Sequence, residues 1–177
     1  MNTTQQLQAA LRQIVGATVR GACLLIWPSA EGLESADTQL NLSLMLPDGV
    51  QMSATLRTSP DGQTPAVELE DAPTVQPYGS LSERIAAWRH VMPSDDQLSR
   101  MEAFDISSGS DFPAVMNATV QEVALLCYRA SGAPTGIRLA FSSGATLWSV
   151  SADDGNRVFA RLPEPWFDEE IELQMVV

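Results

Sequence analysis

The feature that most constrains this chain is a stretch that occurs twice. Ile14-Val15-Gly16-Ala17-Thr18-Val19, followed by Leu24-Leu25, is echoed in Ala114 to Val120, followed by Leu125-Leu126, at an offset of 101 residues. Leu42 to Met52 returns as Ile137 to Leu147 at an offset of 95, and Pro60-Asp61-Gly62 returns as Asp153-Asp154-Gly155 at an offset of 93. The offset shrinks along the chain, so loops of unequal length separate the matched segments. An internal echo of this kind predicts two similar units, each of which helps to interpret the other.

In the first unit, Thr3-x-x-Gln6 forms a capping box, and Leu7, Leu11, Ile14 and Val15 follow at helical spacing. This predicts a short amphipathic helix ending near Gly16. Thr18 to Trp27 is apolar and rich in strand formers, and Pro28 stops it. Leu40, Leu42, Leu44 and Leu46 then alternate with Asn41, Ser43 and Met45, the period of a half-buried strand. Asp48-Gly49 predicts a tight two-residue hairpin turn, because glycine accepts positive φ. Val50 to Leu56 returns along the partner strand, and Val67 to Leu69 forms a short edge strand.

Asp71 to Gly79 holds two prolines and no periodicity, which marks a linker. Ser80-x-x-Glu83 and Ser94-x-x-Gln97 predict two helices, the first with Leu81, Ile85, Trp88 and Met92 on one face. The second places Leu98, Met101 and Phe104 inward. The first unit's pattern then recurs, with Phe112, Val115 and Met116 in the places of Leu11, Ile14 and Val15. Strands follow over Thr119 to Arg129, Gly136 to Phe141, Ala145 to Ser151 and Arg157 to Leu162. A last strand, Ile171 to Val177, has no counterpart in the first unit on this reading. The expected fold class is α+β: two duplicated helix-plus-antiparallel-β-meander units joined by a helical pair. Residues 1–71 form the first unit, 72–110 the linker and helical pair, and 111–177 the second unit with its extra strand.

Charge narrows the partners. The chain carries 22 acidic and 10 basic residues, a net charge of −12, and every basic residue is arginine. Such a chain is repelled by nucleic acid phosphates and by anionic membranes, so neither is expected as a partner. A macromolecular partner is expected to be basic. Cys23 and Cys127 lie inside apolar runs and predict buried thiols rather than a disulfide framework. No run approaches the ~20 apolar residues of a spanning helix, and nothing resembles a signal peptide, so the expected compartment is the cytoplasm.

Catalytic signatures are absent. His90 is the single histidine, placed near a helix end beside Met92-Pro93, where a structural role suffices. One histidine and two strand cysteines give no zinc spacing, and Asp153-Asp154 with Asn156 lacks the ligand spacing of a calcium loop. Ser142-Ser143-Gly144 and Ser107-Ser108-Gly109 do not match a nucleophile elbow. No glycine-rich phosphate loop occurs. Arg84, Arg89 and Arg100 alternate with Glu83 and Glu102, as on solvated helix faces. The expectation is therefore no enzyme, no catalytic residue, no metal and no cofactor. The most distinctive surface is the tail: Trp166 and Phe167 beside Asp168, Glu169 and Glu170, approached through Pro163 and Pro165. Aromatic anchors next to carboxylates suit a partner with an apolar pocket rimmed by basic groups.

The run from Gly136 to Trp148, an apolar strand entering a Ser-Ser-Gly turn and returning through Leu147, resembles the sheet core of cytosolic immunity proteins that neutralise bacterial toxins. The resemblance implies a stoichiometric inhibitor that occludes the active site or substrate groove of a cognate toxin. It transfers no catalytic residues. The contact surface expected on this reading is Asp153, Asp154, Trp166, Phe167, Asp168, Glu169 and Glu170, against a toxin with a basic groove. The alternative is a small-molecule-binding or enzymatic domain using the cleft between the two repeats.

Overall fold

Alternating apolar residues dominate both halves, and they fold as strands nearly wherever the chain is described. A computed structural model describes residues 3–27, 37–60, 62–71, 101–107, 115–152, 155–161 and 170–177. The helix α1 (Thr3–Ile14) comes first, followed by β1 (Thr18–Trp27), β2 (Asp37–Met45), β3 (Gln51–Thr58), β4 (Pro65–Glu70) and β5 (Glu102–Asp105). The second half supplies β6 (Val120–Tyr128), β7 (Pro134–Phe141), β8 (Thr146–Ala152), β9 (Gly155–Phe159) and β10 (Ile171–Met175). Two antiparallel five-stranded sheets result, in the orders β4-β3-β2-β1-β5 and β10-β6-β7-β8-β9. They pack face to face, with β2 against β9, β3 against β8 and β4 against β7.

This corrects the expected α+β class. The described chain is mostly β, and α1 is the one helix among the described residues. The helical pair is overturned at its C-terminal end. Glu102-Ala103-Phe104-Asp105 runs antiparallel to β1, pairing Cys23 with Asp105 and Ile26 with Glu102. Leu98, Met101 and Phe104 are three residues apart, which suggested a helix. The free edge of β1, an apolar strand buried on both faces, instead takes a strand there and satisfies its backbone groups. Ser80 to Arg100, which held the rest of the expected pair, lies outside the described residues. In the second half, Met116 and Asn117 form a turn where the echo of α1 predicted a helix end.

One shared core holds both halves together. Leu24, Ile26, Leu40, Leu42, Leu44 and Leu56 from the first sheet meet Val123, Leu125, Ile137, Leu139, Phe141 and Leu147 from the second. The helix adds Leu7, Leu11 and Ile14, with Arg12 in its last turn where a cation suits the helix dipole. Each such side chain contributes about 1.5–3 kcal/mol by leaving water, so the core dominates what holds the sandwich closed.

The repeated stretch forms the seam between the halves, and its hydrogen bonds are reciprocal. Gly16 N donates to Val120 O (2.9 Å) while Asn117 N donates to Val19 O (2.9 Å). Val19 N donates to Ala118 O (2.9 Å) while Val120 N donates to Ala17 O (2.9 Å). Thr18 and Thr119 face each other in an antiparallel bridge between them. Each bond thus has a mate 101 residues away, the pattern of a pseudo-twofold axis. Backbone conformation follows it too: Gly16 (φ 84°) and Asn117 (φ 61°) are both left-handed, a region glycine enters freely and asparagine better than most residues. Arg20 then reaches across the axis and donates to Asn117 Oδ1 at 2.8 Å.

Beyond the seam the halves stay parallel in design but slip in register. Both β1 and β6 carry a bulge one residue after the seam, between Val19 and Gly21 and between Val120 and Glu122. The β2–β3 and β7–β8 hairpins match at the offset of 95: Leu44 opposes Met52, and Leu139 opposes Leu147. Both turns have three residues rather than the expected two, with Leu46 N bonded to Val50 O and Phe141 N bonded to Ala145 O. A type I turn closed by a left-handed glycine, Gly49 or Gly144, needs that extra residue. Val19 pairs with Leu44, whereas Val120 pairs with Phe141, the hairpin equivalent of Leu46. The second hairpin has moved by two residues, one full strand period, so every side chain keeps its face.

The last strand is a further correction. Strand β10 pairs with β6 just as β5 pairs with β1, so it has a counterpart after all. Ala103 lies opposite Leu25 and Leu173 opposite Leu126, and their partners are 101 residues apart. Glu102 to Ile106 therefore answers to Glu172 to Val176. Ile106 N donates to Ala22 O and Val176 N to Val123 O, again equivalent bonds.

Candidate functional site

Most of the expected contact surface lies outside the described residues: Asp153, Asp154, Trp166, Phe167, Asp168 and Glu169. His90 lies outside them as well. Glu170 is described. It is exposed, and its carbonyl accepts a hydrogen bond from Arg129 N at 2.7 Å, one pair beyond the ladder of β6 and β10. Of the seven expected contact residues, the structure therefore places Glu170.

Around Glu170 the chain makes a concave surface. Tyr128, Arg129, Ala130 and Glu170 line an open cavity of about 400 Å³ where β6 leaves the sheet and β10 enters it. Tyr128 is 44% exposed, an amphipathic ring at the rim. Arg129 approaches Glu172 at 3.7 Å, and both side chains are open to water, so this contact adds little stability. The described lining thus combines the apolar Tyr128 ring and Ala130 with both signs of charge, Arg129 and Glu170.

The edge beside it is apolar. Leu173, Met175 and Val177 are 40%, 54% and 55% exposed, and they project from the face of the second sheet that points away from the core. On that face Leu126, Trp148 and Val150 form a buried cluster with Phe159 and Ile171 against it. Arg138 caps the cluster, its guanidinium 5.6 Å from the Trp148 ring centre and 3.5 Å from the Glu122 carboxylate. The sequence signal for this edge was the alternation of Ile171, Leu173 and Met175 with Glu172 and Gln174. Periodicity identified a strand there, but which face stays wet depends on packing.

Between the sheets lies a buried polar network around Asn156. Asn156, fully buried on β9, receives and gives bonds across to β2. Its N–H donates to Asp37 Oδ1 at 2.7 Å, its side-chain amide donates to Thr38 O at 2.5 Å, and its carbonyl accepts from Thr38 Oγ1 at 3.1 Å. Ser149 Oγ donates to Asn156 Oδ1 at 3.1 Å. Thr58 Oγ1 reaches Gly155 O (2.9 Å) and Ser151 Oγ (3.1 Å). These polar groups satisfy one another, so the network fixes one sheet upon the other.

The remaining reactive groups have structural surroundings. Cys23 is buried on β1, and burial first, then the nearby Asp105 charge, pushes its thiol up to about 12. Burial and then Glu172 raise Cys127 as well. Neither carries thiolate at neutral pH, which nucleophilic chemistry requires. Ser142 Oγ accepts from Thr119 N at 2.9 Å and Ser143 Oγ from Ala145 N at 3.4 Å, so both serve their turn. Ser107 closes a turn on Asp105 through its N–H (2.8 Å) and its hydroxyl. Among the described residues no group of three or more His, Cys, Asp or Glu side chains could hold a metal ion. No described helix is long and apolar enough to cross a membrane.

No protein-family model, no curated protein and no solved structure matches this chain.

Proposed function

We propose that this chain is a protein-binding module, in the specific form of an immunity protein that occludes the active site or substrate groove of a cognate bacterial toxin enzyme. The observation that carries this is the end of the second sheet. A cavity of about 400 Å³ lined by Tyr128, Arg129, Ala130 and Glu170 opens there, on a chain of net charge −12. An exposed aromatic next to carboxylates offers an anchor and a charged rim together, the combination from which interface energy and orientation come. In this proposal Asp153, Asp154, Trp166, Phe167, Asp168, Glu169 and Glu170 meet a basic groove, and Tyr128 packs under the contact.

The alternative, a small-molecule or enzymatic site in a cleft between the halves, has less to draw on. The facing sides of the two sheets are filled by a common apolar core.

The test uses the protein product of a neighbouring toxin-like reading frame. Titration calorimetry should show one-to-one binding that weakens as salt is raised. Glu170→Arg should cut affinity about tenfold and Tyr128→Ala at least as much. Unchanged binding by both variants sinks the surface assignment, and failure of the protein to protect cells from that toxin sinks the immunity reading.

A further inference from the structure

The edges of the two sheets have been treated differently, and the difference lies in strands that occupy equivalent places. On β10 the bonds Arg129 N to Glu170 O and Val176 N to Val123 O fix the alternation of the ladder. Glu170, Glu172, Gln174 and Val176 turn their backbone groups toward β6, so Ile171, Leu173 and Met175 turn theirs to the outside. Among the described residues β6 is the one strand beside β10. On β5 the same logic, from Ile106 N to Ala22 O, turns Ala103 and Asp105 outward. Ala103 is the counterpart of Leu173, and Asp105 the counterpart of Met175. A small side chain and a carboxylate blunt an edge against further pairing, whereas large exposed apolar side chains invite it.

We propose that the β10 edge pairs with β10 of a second copy of this chain, antiparallel and centred on Leu173, joining two five-stranded sheets into one. The register is set by the strand itself. About that centre Leu173 faces Leu173 of the partner subunit and Ile171 faces Met175 of the partner subunit. The three residues with outward backbone groups thus pair with one another, closing a ladder of about six hydrogen bonds. Their side chains share one face and extend the apolar surface that already includes Tyr128, Leu173 and Met175.

Charge complementarity favours the second copy as occupant. On the opposite face Glu172 comes against Gln174 of the partner subunit, so an acidic chain meets itself here without opposing carboxylates. Within one strand Gln174 Nε2 already donates to Glu172 Oε1 at 3.1 Å, which shows that the two side chains can bond. The twofold axis leaves the two Glu170 cavities at opposite ends of the pairing, about 20 Å apart at the strand rise per residue. The dimer would therefore present two partner-binding ends, but its formation does not depend on the toxin-inhibitor reading.

The test is the oligomeric state of the full chain. Analytical ultracentrifugation from about 1 to about 100 μM should show the mass rise from 19.1 kDa toward twice that value. Hydrogen exchange on the same samples should show the amides of Ile171, Leu173 and Met175 gaining protection with concentration, while Glu172 and Gln174 are protected throughout. Leu173→Ala with Met175→Asp, which copies β5, should remain monomeric over the whole range. Gln174→Glu should weaken the dimer at low salt and recover it at high salt. A wild-type chain that stays at 19.1 kDa overturns the proposal. So does a dimer indifferent to the β5-like pair of substitutions, or one whose protection falls on other amides. Should that variant fail to fold, the exchange pattern of the wild-type protein decides alone.

Discussion

Strands β5 and β10 occupy the same place in their respective sheets, bind equivalent neighbours, and share almost no sequence. Glu102-Ala-Phe-Asp-Ile106 answers to Glu172-Leu-Gln-Met-Val176, and what is kept is a glutamate at the start and a buried aliphatic at the end. Between these points Phe104 is in the core, whereas its counterpart Gln174 is polar; Ala103 and Asp105 face outward where Leu173 and Met175 do. The seam residues behave in the opposite way: Ala17-Thr18-Val19 recurs as Ala118-Thr119-Val120, and the reciprocal hydrogen bonds are kept. Positions that must satisfy backbone groups across the axis are narrowly constrained, while an edge strand needs only some chain that can pair. An edge is therefore free to diverge in what it offers to other molecules.

The strongest way to break the comparison of the halves is to cut into the core they share. Leu24→Ala and Leu125→Ala remove equivalent side chains from opposite sheets. Each is expected to cost about 2–5 kcal/mol in urea denaturation, within a single transition. Two separated transitions, each moved by one substitution, would show that the halves fold independently.

A smaller effect tests where the halves differ. In the second sheet Ser149, Ser151 and Asn156 stand where the first has Ala54, Leu56 and Val67. Asn156→Ala should cost about 1–3 kcal/mol, since it leaves Thr38 O and the Ser149 hydroxyl without their partner in a buried place. If the same denaturation curve does not move, the clamp contributes nothing and the core alone holds the sheets.

The smallest expected effect concerns pH. The Cys23 thiol is held at about 12 in the folded chain against an ordinary 9.0, so the folded state keeps its proton after the unfolded state has lost it. Stability from this residue is intact below pH 9.0 and is lost as pH rises toward 12. At pH 10 the cost is about 1 kcal/mol. Cys23→Ala should flatten that alkaline fall in urea midpoint, and an unaltered slope would show that the thiol ionises in place.

Much of the fold was legible because strand periodicity is local. Leu40, Leu42 and Leu44 identify β2, and β1 spans Thr18 to Trp27 as its composition and Pro28 suggested. The helical reading through Phe104 failed because three apolar residues at a spacing of three do not say whether an open strand edge waits nearby. Of the site, the sequence points to Glu170 through its acidic and aromatic neighbours, but not to Tyr128, Leu173 or Met175. Their identities suit a buried strand as well as an exposed one, and exposure is decided by what packs alongside.

By itself the sequence determined the strands other than β5, the repeat and the acidic character of the chain, each of which is written in local residue patterns. The tertiary structure decided that the repeat is a seam about a pseudo-twofold axis, that β5 and β10 are counterparts, and that β10 turns an apolar edge outward. These depend on backbone hydrogen bonds between residues far apart in the chain. Every residue except proline carries the same backbone donor and acceptor, so side-chain pattern alone does not say which will meet.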